Sequence, residues 1–183
     1  MRSWRIVILP YIEQDKLFQQ YDFKQWWDDP PNSSLADPMP RTYCLHSEYR
    51  AGRRSTITNY VAIVGEQTVW RPGKPVDDKM VKDGTSNTIM LPENRGFNLH
   101  WMEPRDFQFE TMDWTINSPN GISSKYDAPA VAMLDGSVRR LSLKIAPEVL
   151  KALATIDGGE KLSDEAGEWK MIPDGRLRPI TEP

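Results

Sequence analysis

The apolar residues of this chain come in short packets. The longest uninterrupted runs are Ile6 to Leu9, Tyr60 to Val64 and Ala130 to Leu134, four or five residues each, and Pro10, Gly65 and Asp135 end them. Packets of that size suit strands. They fall far short of the roughly 20 apolar residues that cross a bilayer. Met1 to Arg5 leads into only four apolar residues before Pro10, without the apolar stretch of a secretory leader. Fifteen prolines and seven tryptophans among 183 residues point to a loop-rich domain of short elements rather than a helical bundle.

Composition narrows the function classes. An apolar fraction of 39% is enough for a core, and the length fits one domain with short appendages. With 23 Lys+Arg against 26 Asp+Glu the net charge is -3, so nothing supplies the positive field that a nucleic-acid partner needs. One cysteine excludes an internal disulfide framework and any multi-cysteine zinc or iron–sulfur site. Two histidines leave little scope for imidazole ligation or proton relay.

Along the chain, Arg5 to Leu9 reads as a short strand. Pro10 to Tyr21 reads as a helix, with proline tolerated at the first position and Tyr11, Leu17, Phe18 and Tyr21 near three-to-four spacing. Asp28 to Pro40 is a loop. Thr56 to Val64 is a strand, turned by Gly65-Glu66-Gln67 into a return strand at Thr68 to Trp70. Asp83 to Asn87 is a turn before a strand at Thr88 to Leu91, with Phe97 to Met102 as its antiparallel partner. Glu103 to Met112 fits either a short helix or a loop. Ala130 to Leu134 and Ser137 to Leu143 form a hairpin about Asp135-Gly136, a pair suited to positive φ. Pro147 to Ile156 is a helix stopped by Gly158-Gly159.

Several strings together resemble one family. Trp4-Arg5-Ile6-Val7-Ile8-Leu9-Pro10-Tyr11-Ile12-Glu13-Gln14 resembles its opening motif. Thr58-Asn59-Tyr60-Val61-Ala62-Ile63-Val64-Gly65 and Asp83-Gly84-Thr85-Ser86-Asn87-Thr88-Ile89 resemble its central motifs. Trp101-Met102-Glu103-Pro104-Arg105-Asp106 and Asp135-Gly136-Ser137-Val138 complete the order. The family is the bacterial prepilin-like group catalogued as domain of unknown function 1559, and the resemblance covers about Ser3 to Glu160. Its members begin with a type IV prepilin leader and a long apolar helix. The resemblance therefore implies a globular head without that helix, built on an antiparallel sheet that would pack against it. Two departures stand out. The family pattern has a histidine, nine residues and then Asp-Gly, but Lys125 occupies that position and Ala128-Pro129-Ala130 replaces a glycine-rich stretch. Cys44-Leu45-His46-Ser47 stands where the family has Cys-Pro-Ser. Fuller relatives carry a cysteine on the N-terminal helix, which implies a disulfide from Cys44 to that segment and an envelope location.

Cys44 and His46 would share one face of a strand, but no orienting group or oxyanion site accompanies them. His100 beside Trp101 is read as a packed or surface ring. Asp83, Ser86, Asn87, Asp135 and Ser137 place oxygens in two Asp-Gly turns, and Asp83, Asn87 and Asp135 are weak calcium candidates, although turn geometry alone explains such residues. Asp77-Asp78 is a solvated loop pair. Glu93, Glu103, Asp106 and Glu110 could supply the paired carboxyls of a glycosidase, with Trp101 or Trp114 as a sugar platform. Arg50, Arg53 and Arg54 form a small basic loop. Trp26-Trp27, with Trp101, marks a candidate interaction surface.

The expected fold is α+β: a pilin-like head with a mainly antiparallel sheet, a short helix near each end and long loops. Residues 1–160 form the head, and 161–183 an extended tail packed on it through Trp169, Met171 and Ile172. The expected function is structural and non-catalytic, with no cofactor, in a type IV pilus or type II secretion-like pseudopilus. The partners are subunits of that assembly and the chain's own N-terminal helix, with no nucleic acid and the membrane reached only through that helix. The site is the cell envelope, on its periplasmic or extracellular face. Without the helix, an apolar groove is expected to be covered by self-association or by the tail. The alternative is an extracytoplasmic carbohydrate- or solute-binding module using exposed tryptophans. Third stands a small glycoside hydrolase around Glu103.

Overall fold

The computed structural model describes residues 2–37, 39–45, 55–126, 128–160, 162–165 and 168–171. They form two compact units, Met1–Tyr60 with Phe97–Asp106, and Val61–Gly96 with Phe107–Pro183. The fold is α+β.

In the first unit, the segment expected as a strand is helical. Ser3 has extended backbone and its hydroxyl accepts the Arg5 N–H, which caps α1 (Trp4–Val7). Pro10 then sits inside a 3-10 turn, Leu9–Ile12, where its missing N–H costs nothing. Glu13 at φ 62° breaks the expected single helix, and α2 (Asp15–Gln20) follows. Further 3-10 turns cover Asn32–Leu35 and Arg41–Tyr43 within the loop region. Buried Asn32 ties the first of these to the 22–26 segment: its Oδ1 accepts from Asp22 N at 2.8 Å, and its Nδ2 donates to the carbonyls of Asp22 and Trp26. A two-stranded antiparallel ladder joins β1 (Ile57–Thr58) to β4 (Leu99–His100). The core gathers Ile6, Leu9, Leu17, Tyr21, Tyr43, Trp101 and Met102, with Trp4, Ile8, Phe18 and Trp27 packed against it.

The expected strand Thr56 to Val64 is two short strands. Thr58 Oγ1 donates to Tyr43 O at 2.8 Å and accepts from Tyr60 N at 3.2 Å, local bonds that compete with a continuous ladder. In the second unit β2 (Ile63–Val64) pairs with β5 (Phe107–Gln108), and this pair is parallel. The expected return strand at Thr68 to Trp70 is only a bridge between Val64 and Trp70. Thr68 Oγ1 accepts from Trp70 N and bonds Gly65 O, making a turn of it.

β3 (Ile89–Pro92) pairs not with Phe97 to Met102 but with β6 (Ala130–Met133), which pairs in turn with β7 (Val138–Arg140). The expected hairpin is present. Gly136 N–H donates to Met133 O and Met133 N–H to Ser137 O, and Gly136 takes φ +84°. This is the three-residue loop in which a tight turn ends in a left-handed residue. Asp135 is not among the positive-φ residues, so of the pair only the glycine needs special backbone. The second expected helix is α3 (Pro147–Ala154), with proline in its first turn and Val149, Leu150, Ala152, Leu153 and Ala154 buried. The tail is not simply extended: β8 (Leu162–Glu165) and β9 (Glu168–Met171) pair as an antiparallel hairpin. The side chains of Trp169 and Met171, and all of Ile172, lie outside the described residues.

The expected single antiparallel sheet is thus divided. Among the described residues there are four small sheets of two or three strands, three of them antiparallel. No helix among the described residues is long and apolar enough to cross a membrane.

Candidate functional site

The polar centre of the first unit is Arg5, which is fully buried. On helix α1, Arg5 and Ile6 are buried while Val7 is exposed. Arg5 Nη2 reaches Asp106 Oδ1 at 2.7 Å and Tyr60 O at 2.8 Å, and Nε reaches Tyr60 O at 3.1 Å. The guanidinium lies 4.5 Å from the Trp4 ring centroid, and the Trp4 indole N–H donates to the same Asp106 oxygen. Burial pulls the guanidinium below its ordinary pKa, while Asp106 pushes it back up. Tyr43 donates its hydroxyl to Arg5 O at 2.6 Å, and burial pushes that phenol above its usual range. An isolated cation here would be very costly, so the network is needed to keep it charged. Three of the recognised strings meet in it: Trp4-Arg5, Tyr60 and Asp106.

In the second unit the Asp-Gly turns hold backbone. Asp83 accepts the Gly158 N–H at 2.8 Å and the Gly159 N–H at 3.1 Å, which anchors the turn after α3. Asn87 Nδ2 donates back to Asp83 O, and Thr88 Oγ1 to Gly84 O. Asp135 N–H donates to Thr85 O at 3.1 Å, so the two turns are neighbours. The Asp135 carboxylate accepts from the hydroxyl and the N–H of Ser137, which hold it below the ordinary aspartate range. Asp83 and Asp135 therefore each serve a turn, and among the described residues no group of three or more His, Cys, Asp or Glu could hold a metal ion.

Also in the second unit, a polar cavity of about 540 Å³ opens between the 94–96 loop and the 117–126 loop. Its lining includes Arg95, Asn117, Ser123, Ser124, Lys125 and Tyr126. Buried Asn94 stitches the walls together: Nδ2 reaches the carbonyls of Pro119 and Gly121 at 3.1 and 2.7 Å, and Ser123 Oγ at 3.1 Å. Its Oδ1 accepts Gly96 N–H, and Ser123 Oγ accepts Arg95 N–H. Asn117 Oδ1 accepts Ser124 N–H at 3.1 Å. Behind them, buried Glu93 accepts Ala130 N–H at 2.9 Å. Lys125, which stands where the resemblance expects histidine, is part of this lining.

The remaining candidates are scattered. Trp101 is fully buried, its indole N–H donating to Ala36 O at 2.9 Å and its ring stacked on Tyr43, so it belongs to the core and not to an interaction surface. Trp26 is 59% exposed, while Trp27 is half-buried against His100 at 4.7 Å. His100 Nδ1 accepts Met102 N–H, and burial lowers its pKa against the pull of Glu103 and Asp28. Cys44 is half-buried, with Sγ 3.5 Å from Arg41 O. His46, Arg50, Arg53 and Arg54 lie outside the described residues. Of the carboxylates, Asp106 is held by Arg5, Glu103 by Arg105 at 2.7 Å and Glu93 by a backbone N–H. Trp114 is buried and so cannot be a sugar platform. Asp78 opens a 3-10 turn, Asp78–Met80, that Asp77 caps through the Lys79 N–H.

Sequence reasoning missed Arg5, Asn94 and Arg95. The signal for Arg5 was a lone cation within an apolar stretch, Trp4 to Leu9. For Arg95 there was none, because apart from Gly96 its neighbours in the cavity come from more than 20 residues away. The family model described as Protein of unknown function (DUF1559) matches residues 1–128. No curated protein and no solved structure matches the chain.

Proposed function

The chain belongs to the DUF1559 family, and from that premise we propose that it is the non-catalytic structural head of a prepilin-like protein in a cell-envelope or surface assembly. One observation carries this reading: Arg5, Asp106, Asp83 and Asp135 of the recognised strings use their side chains to hold this chain's own backbone or one another. Arg5 donates both to the Asp106 carboxylate and to Tyr60 O. Asp83 holds the Gly158-Gly159 turn, and Asp135 holds its own hairpin loop. Residues that build a fold in this way supply a rigid body for others to pack on, and catalysis asks instead for groups aimed at a substrate. Of the candidate hydrolytic carboxylates, Asp106 and Glu103 pair with arginines and Glu93 bonds backbone, which favours the same reading.

In this reading the head is carried by an N-terminal apolar helix and faces the periplasm or the exterior. Cys44 pairs with a cysteine on that segment, and the partners are other subunits of a type IV pilus or type II secretion-like pseudopilus. The test is fractionation of source cells into soluble, membrane and sheared-surface material, with intact mass and N-terminal sequence of the native protein. The reading predicts a membrane or surface product heavier than this chain, with a processed apolar N-terminus and no free thiol at Cys44. A soluble cytoplasmic product beginning at Met1 overturns it.

A further inference from the structure

We propose that the cavity between the 94–96 and 117–126 loops of the second unit binds a sugar acid, its carboxylate on Arg95 and its ring against Tyr126. The volume, about 540 Å³, lies in the range of small-molecule sites and is far larger than an inorganic ion requires. The described lining carries two cations, Arg95 and Lys125, and no acid. Tyr126 is 43% exposed, and Lys125 Nζ and Arg140 Cζ lie 5.7 and 6.0 Å from its ring centroid. A ligand touching that ring therefore meets two nearby cations, in a chain whose net charge is -3.

The rest of the wall selects the neutral part of the ligand. Exposed Asn117 brings an amide group, which suits a polyhydroxylated molecule better than an apolar one, while Ser123 and Ser124, buried and bonded to Asn94, Arg95 N–H and Tyr126 N–H, fix the wall around it. Leu143, 54% exposed, adds one apolar surface beside Tyr126 for the ring carbons. Arginine presents parallel donors that match a carboxylate, and Arg95 Nη1 already reaches the wall at Ser124 O, 3.5 Å away. The loops are held in place before any ligand arrives, because Asn94 bonds across both and Asn117 bonds Ser124 N–H. Such preorganisation lowers the cost of binding.

The test is titration of the protein with galacturonic acid, galactose and inorganic phosphate, followed by calorimetry and by the amide signals of Gly96, Ser123 and Ser124. Saturable binding of galacturonic acid is expected, with those amides shifting and galactose at least tenfold weaker. Arg95→Gln is expected to weaken it at least tenfold and Tyr126→Ala several-fold, while Tyr126→Phe binds as the parent does and Trp26→Ala has no effect. If Arg95→Gln does not fold, Leu143→Asp at the exposed rim serves instead and is expected to weaken binding of the acid selectively. No saturable binding of galacturonic acid, equal binding of galactose, phosphate binding as tightly as the sugar acid, or indifference to these cavity substitutions overturns the proposal.

Discussion

Arg5 concentrates the physics of the first unit at a single residue. Its charge is buried at 0% exposure and held by Asp106, itself 8% exposed. Removing one partner of such a pair leaves the other uncompensated, at a cost of about 3–5 kcal/mol. Asp106→Ala should therefore lower the urea midpoint strongly, and the double variant Arg5→Met with Asp106→Leu should recover part of the loss; a single variant within experimental error of the parent would contradict the network. The tryptophans make a second contrast. Trp101→Ala should cost about 3–5 kcal/mol, as large-to-small core changes do, whereas Trp26→Ala, at an exposed position, should stay within about 0.5 kcal/mol. Thermal melts of the two variants check this. His100 offers a pH test. Burial lowers its folded pKa below the ordinary 6.5, so the folded state binds this proton less readily than the unfolded chain does. Its contribution to stability is then complete above about pH 6.5 and is lost as pH falls through the folded pKa. An NMR titration of the ring should give a midpoint below 6.5, and His100→Gln should flatten the stability profile in that window.

At the scale of elements, what was legible in the sequence was local. The β6–β7 hairpin follows from a turn pair between two apolar-rich segments, and α3 from Pro147, a spaced apolar face and the glycines after it. Gly136 supports a prediction here: at φ +84° an added Cβ meets no atom within 4 Å, so Gly136→Ala tests backbone strain alone. The expected loss is about 1–2 kcal/mol, read from a thermal melt, and an unchanged melting temperature would show that the loop relaxes freely. Pairings over long separation were not legible. Ile63 meets Phe107 and Ile89 meets Met133, partners that no short-range pattern specifies. Arg5 to Leu9 read as a strand because four apolar residues are too few to reveal a helical period, although Ser3 was a cap in plain sight. The cavity was equally hidden, since Arg95, Asn117 and Tyr126 come together through bonds of Asn94, Ser123 and Ser124 that span more than 20 residues or fall within an irregular loop. Lys125 attracted notice for its place in a motif and not for the cavity it lines.

On the scale of the whole molecule, two units share one chain that crosses between them after Tyr60, Gly96 and Asp106. Each unit has buried apolar residues: Trp101 and Tyr43 in the first, and Val61, Phe107, Val131, Leu150 and Ile156 in the second. The proposed role as a head in an envelope assembly asks for such rigid bodies and for an outward contact. Trp26, 59% exposed beside the core of the first unit, is where that contact is sought. The most direct measurement places a photoreactive phenylalanine at position 26 of the native protein in its source cells and reads the cross-linked products of the envelope fraction. The account predicts a ladder of adducts at multiples of the subunit mass. Irradiated protein that stays monomeric, in the soluble fraction and without adducts, would contradict it.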